Sequence, residues 1–111
     1  MEKIIVAFEN EKTALRVREL LEGGGAASCL VWRTADQVRR SIRKLPAPVV
    51  VCGYKLGDQT AELLFDDLPP ACAMLVLAPQ DRLDLLGHGD IFRLPSPVTR
   101  GDLLAPGRLL P

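Results

Sequence analysis

Five short apolar runs set the limits on what this chain can become. KIIVAF (3–8), ASCLVW (27–32), VVVCG (49–53), CAMLVLA (72–78) and DIFRL (90–94) recur along 111 residues. The third is the most apolar and shows no polar alternation, which marks a strand covered on both faces at the centre of a sheet. Helical spacing fills the intervals. Ala14, Val17, Leu20 and Leu21 form one apolar stripe, and Val38, Ile42 and Leu45 form a second. Ala61, Leu63, Leu64 and Phe65 suit a short third helix, and QDRLDLLG (80–87) a fourth. Strand and helix therefore alternate, βαβαβαβαβα. Parallel strands joined by right-handed crossovers are the solution open to such a pattern. The expected fold is α/β: a doubly wound five-stranded parallel sheet, order 2-1-3-4-5, with helices on both faces. Its crevice would lie beyond the carboxyl ends of strands 1 and 3.

Punctuation residues agree with these boundaries. Asn10 and Thr34 stand where helix caps are wanted, and Gly23 to Gly25 stop the first helix. Pro46 and Pro48 end the second helix; Asp58 or Thr60 caps the third. Pro79 fits the first turn of the fourth, which should end at Gly87. A last helix opens at Thr99 with Asp102 in capping-box spacing, but Pro106 and Gly107 interrupt it.

Residues 1–111 suffice for one domain. Formal charge is zero, which gives no overall pull toward nucleic acid or membrane. The halves differ: residues 1–55 carry ten basic and six acidic side chains, residues 56–111 four and eight. That asymmetry favours self-association or a charged partner. Cys29, Cys52 and Cys72 lie far apart in apolar runs, and His88 is the single histidine. Buried free thiols, a reducing cytoplasm and neither metal nor cofactor are the expectations. No apolar run approaches the roughly 20 residues of a membrane span.

The strand ends carry the argument about function. The first run leads into Phe8 and Glu9, the third stops at Gly53, the fourth at Ala78, and the fifth is followed by Ser96-Pro97. Element order, IIVAFENE, VVVCGYKLGD and LPSPV together resemble the response-regulator receiver (CheY-like) domain of two-component signalling, over essentially the whole chain. In that family an aspartate at the end of the third strand accepts a phosphoryl group. Two acidic residues after the first strand help hold Mg²⁺, a hydroxyl follows the fourth strand, and a Lys-Pro pair follows the fifth. The resemblance puts Phe8 and Glu9 at the acidic pair, Gly53 at the nucleophile, Ala78 at the hydroxyl, and Ser96 at the lysine, with Pro97 retained. One carboxylate survives. The aromatic switch falls on Phe92 or Arg93. The resemblance thus implies a degenerate pseudo-receiver with Phe8 as an apolar plug. Glu9 reads first as a favourable charge at a helix start. The resemblance also raises the expectation of a cis Ser96-Pro97 bond.

Tyr54, Lys55 and Asp58 should line the crevice. Arg39, Arg40 and Arg43 lie on the outward side of the second helix, as a solvated face or a docking surface. Trp32, at the sheet edge, is either a partner anchor or packed against a neighbouring helix. The family's dimer face, fourth helix to fifth strand to fifth helix, would serve a homodimer. VCGY, DDLP and LPSP are similar to runs in receivers joined to RNA-binding antitermination (ANTAR-type) output domains, which here would lie beyond Pro111. The leading expectation is a non-enzymatic regulatory module in two-component-type signalling or transcription regulation. The alternative is a small-ligand sensor using the emptied crevice. An enzyme would have to use Cys52, a buried strand thiol with no histidine nearby.

Overall fold

The computed structural model describes residues 4–23, 29–44 and 49–95. The order is β1 (Ile4–Ala7), α1 (Glu11–Gly23), β2 (Cys29–Trp32), α2 (Ala35–Ile42), β3 (Val49–Cys52), β4 (Lys55–Leu56), β5 (Gln59–Thr60), α3 (Ala61–Asp66), β6 (Ala73–Ala78), α4 (Gln80–Leu83) and β7 (Phe92–Pro95). Five of the strands form one parallel sheet, β2-β1-β3-β6-β7, the order the sequence predicts. β4 and β5 pair separately as an antiparallel hairpin.

Strand residues alternate between two cores. Ile5, Ala7, Val50, Cys52, Met74 and Val76 face α2, α3 and α4, where they meet Val38, Leu64 and Leu83. Ile4, Val6, Val49, Val51, Leu75 and Leu77 face α1, where they meet Ala14, Val17 and Leu21. All four β3 residues are buried, which explains the unbroken apolar run. Among the described residues no polar or charged side chain is buried.

Capping follows the residues named from the sequence. The Asn10 side-chain oxygen accepts from the amides of Lys12 (2.9 Å) and Thr13 (3.2 Å). Thr34 and Gln37 form a reciprocal capping box on α2. Of the two candidates for α3, Thr60 is the cap: its hydroxyl accepts from the Leu63 amide.

Several details depart from expectation. The loop after Gly53 is a hairpin. Its two-residue turn places Gly57 at φ +64, a conformation that suits glycine, and it sends Leu56 into the core. Leu63 lies on the outer side of α3 and is exposed. α4 is one turn long instead of extending to Gly87. Beyond it the amides of Leu85 and Leu86 bond three residues back, and this tighter winding turns Leu83 and Leu86 to the same buried side. The last strand starts at Phe92, because Ile91 packs into the core under α2, α3 and α4 ahead of the ladder. Cys29 is half-buried, whereas Cys52 and Cys72 are buried. The expectations for Gly24, Gly25, Leu45, Pro46, Pro48, Ser96-Pro97 and the whole fifth helix lie outside the described residues.

Candidate functional site

Parallel pairing brings the carboxyl ends of β1, β3 and β6 side by side. Ala7 pairs with Cys52, and Cys52 with Val76. Phe8 and Gly53 therefore emerge as neighbours, fixed by backbone bonds from Gly53 N–H to the Ala7 carbonyl (3.2 Å) and from Phe8 N–H to the Trp32 carbonyl (3.3 Å). The Phe8 ring is buried and lies over Gly53: a β-carbon there would come within 3.2 Å of Phe8 Cδ1 and 3.6 Å of Cε1. The Gly53 backbone is not in the left-handed region, so what a side chain there would meet is the ring, which would have to give by a few tenths of an ångström.

Glu9 does something the sequence did not announce. Its carboxylate Oε1 accepts the Gly57 N–H at the tip of the β4–β5 hairpin, and its carbonyl accepts from the Arg33 guanidinium (3.2 Å). It is a clasp between β1 and the hairpin, not a charge at a helix start. The signal was present: Gly57-Asp58 between Leu56 and Gln59 is a two-residue hairpin pattern. Glu9→Gln keeps the acceptor and loses the charge; Glu9→Ala loses both. We expect Glu9→Ala to cost about 1 kcal/mol and Glu9→Gln about half of that. Amide exchange at Gly57 should quicken most in the alanine variant; unchanged exchange would remove the clasp.

Tyr54 and Lys55 line a groove of about 690 Å³ with Phe8, Leu20, Leu77 and Arg82. Asp58 does not join them. It sits on the exposed hairpin turn and borders a second groove with Trp32 and Gln37, because the turn swings it toward α2. Trp32 is half-buried against the core under α2, α3 and α4, with its indole N–H unpartnered. Ala78 is buried at the end of β6.

Burial disfavours the thiolate at all three cysteines. Burial pushes Cys52 up to about 12, with Cys72 adding to the shift; burial also raises Cys72 to about 11. Cys29 rises to about 11 through burial and the nearby Glu22 carboxylate. A thiol held protonated inside the sheet is a poor nucleophile. Among the described residues no three His, Cys, Asp or Glu side chains gather as a metal site, and no helix is long and apolar enough to cross a membrane.

No family model matches the chain, and no curated protein does. Solved structures do. A response regulator receiver domain (CheY-like) from Methylobacillus flagellatus superposes with TM-score 0.80 at 13% identity, covering 94% of this chain and 93% of that one. A response regulator receiver domain protein from Clostridium thermocellum gives 0.77 at 21%, covering 93% and 88%. The fold is that of a response-regulator receiver domain. A third similar structure, described as one of a family of redox sensors in the streptococci evolved from two-component response regulators, gives 0.73 at 14% and covers 93% of this chain and 48% of that one.

On this receiver fold the last strand presents Phe92 and Arg93 to opposite sides. Phe92 is 49% exposed. Arg93 turns toward the segment after α4, and its guanidinium donates to the carbonyls of Leu86 (3.3 Å), His88 (2.6 Å) and Ile91 (3.0 Å). It holds that loop in place instead of standing free. The His88 ring meets Phe65 edge-on at 4.5 Å. Arg39 is also committed: it pairs with Asp67 beyond α3 (2.7 Å) and with Asp36 (3.3 Å), tying two helices together. The outward cations of α2 are thus Arg40 and Arg43, both exposed.

Proposed function

We propose that this chain is a non-phosphorylatable pseudo-receiver, a regulatory module of signal transduction that works through what binds it. The observation that carries the reading is the Phe8 ring over Gly53. By the family resemblance, Gly53 stands where a receiver carries its phosphoryl-accepting aspartate, Phe8 and Glu9 at its acidic pair, Ala78 at its hydroxyl, and Ser96 at its lysine. A hard cation between these strand ends needs converging oxygens. It does not fit these residues: the ring fills the space beside Gly53, and the Glu9 carboxylate is taken by Gly57.

Phosphoryl transfer to a carboxylate also needs positive charge at the transferring oxygens. Of the positions matched to the family's reacting groups only Glu9 carries charge, and it is negative; the cations near them, Arg16, Lys55 and Arg82, have no carboxylate nucleophile at position 53 to serve. The output therefore passes through a protein contact. Leu85, after α4, and Phe92, on edge strand β7, are 60% and 49% exposed, and a homodimer or output-domain contact through these two elements would cover them. The streptococcal redox sensor is a precedent for the same fold in a sensing role.

The test is to add beryllofluoride with Mg²⁺, or acetyl phosphate with Mg²⁺, and follow the amide resonances. They should show no Mg²⁺-dependent change. A Mg²⁺-dependent shift centred on Gly53, or a mass gain of one phosphoryl group, overturns the reading.

A further inference from the structure

The groove beside Phe8 carries more chemistry than a filled-in site requires. Its floor is apolar: Phe8, Val17, Leu20 and Leu77. Its rim is cationic. Arg16 comes from α1, Lys55 from the hairpin and Arg82 from α4. Three separate elements thus bring a positive charge to one opening. The ion pairs among the described residues both belong to Arg39, so none of these three cations meets a carboxylate there. Among the described residues of the rim the one acid is Glu9, and its carboxylate is taken by the Gly57 amide. Arg82 lies over the Tyr54 ring at 6.0 Å, an arrangement that leaves its N–H groups open to an acceptor.

Size narrows the occupant. About 690 Å³ falls within the roughly 300–1,000 Å³ of small-molecule sites. An apolar floor with few convergent polar groups is the usual composition of such sites. We propose that this groove binds a small amphipathic anion, with its apolar body on Phe8, Leu20 and Leu77 and a carboxylate or phosphate head among Arg16, Lys55 and Arg82. This goes beyond the regulatory reading and does not rest on it. Guanidinium groups suit either head, because both offer paired oxygens to a planar fork.

Four naphthalene derivatives of similar size separate the contributions: 2-naphthoate, 2-naphthyl phosphate, 2-naphthalenemethanol and 2-naphthylmethylammonium. Each is titrated at equal ionic strength while amide shifts are followed. The two anions should saturate and move Phe8, Leu20, Tyr54 and Leu77, at least about tenfold tighter than the alcohol, and the ammonium should be weakest. Which anion is tighter tells a carboxylate ligand from a phosphate one. The double variant Arg16→Glu/Arg82→Glu should erase the advantage of the anions while leaving the urea midpoint nearly unchanged, since both residues are exposed. Equal binding of alcohol and anions, shifts away from the groove, or no saturable binding by any of the four overturns the proposal. None of these outcomes touches the phosphoryl-donor test, so the two readings fail separately.

Discussion

Gly53→Asp, the change that restores an aspartate at the end of β3, should destabilise the protein by about 2–4 kcal/mol and still yield no phosphorylated product. The geometry sets the size. A β-carbon at position 53 already stands 3.2 Å from Phe8 Cδ1, closer than ordinary packing, before any carboxylate is attached. The ring is buried, so moving it disturbs the packing of Val17 and Leu77 in the same core. Overpacking of this kind costs about 1–3 kcal/mol. A carboxylate pressed on a buried aromatic face adds a desolvation cost, since the ring displaces part of its water. The charged form bears that second cost. The destabilisation should therefore shrink as pH falls and the new carboxyl takes up its proton.

Phe8→Ala alone should cost about 3 kcal/mol, the low end for a buried phenylalanine, because its ring also borders the open groove. The double variant decides whether the two residues act as a pair. With the ring gone the aspartate has room, so the double variant should be more stable than the sum of the single losses by at least about 1 kcal/mol. Urea midpoints for the four proteins give the cycle directly. Simple additivity would mean that Phe8 does not guard position 53, and the account of the plugged site would go with it.

Backbone-scale features of this chain could be read from the sequence because they rest on local rules. VVVC is apolar throughout, so it had to be central and covered on both faces, as β3 is. Asn10 and Thr34 cap because a short side-chain oxygen ahead of an apolar stripe has few better uses. The juxtaposition of Phe8 with Gly53 follows from the strand order expected of the alternating pattern, which makes strands 1 and 3 neighbours; only its meaning came through the receiver resemblance. What escaped was set by side-chain reach in three dimensions. Glu9 looked like a charge at a helix start, and no pattern in one dimension pairs it with the amide of Gly57, 48 residues away. Arg39 reads as part of an outward helix face and Arg93 as a position on an interaction face, because nothing in one dimension shows their acceptors. Their partners, Asp67 and the carbonyls after α4, come from elements whose approach only packing decides.

Alkaline pH should weaken this protein earlier than a thiol-free relative of the same fold, and Cys52 should be the main cause. In the unfolded chain its thiol ionises around the ordinary 9.0; in the folded sheet burial moves it to about 12. The folded value is the higher one, so the stabilisation is whole below pH 9 and is lost as pH climbs toward 12. Between about pH 8.5 and about pH 10.5 that linkage amounts to about 2 kcal/mol for Cys52 alone. Cys72 and Cys29, both raised to about 11, add in the same direction and by less. Cys52→Ala separates packing from titration. It lowers stability at every pH by leaving a small cavity beside Ala7 and Val76, yet it should flatten the fall across this window. Denaturant midpoints of the parent and the variant, taken at several pH values, provide the comparison. The same linkage predicts that an alkylating reagent reaches Cys52 only as fast as the sheet opens, so labelling should follow the unfolding equilibrium and not the thiolate fraction of an exposed cysteine. Parallel pH curves for the two proteins, or prompt labelling of Cys52 in the native state, would show that the strand is more accessible than its burial implies and would reopen an active thiol at the end of β3.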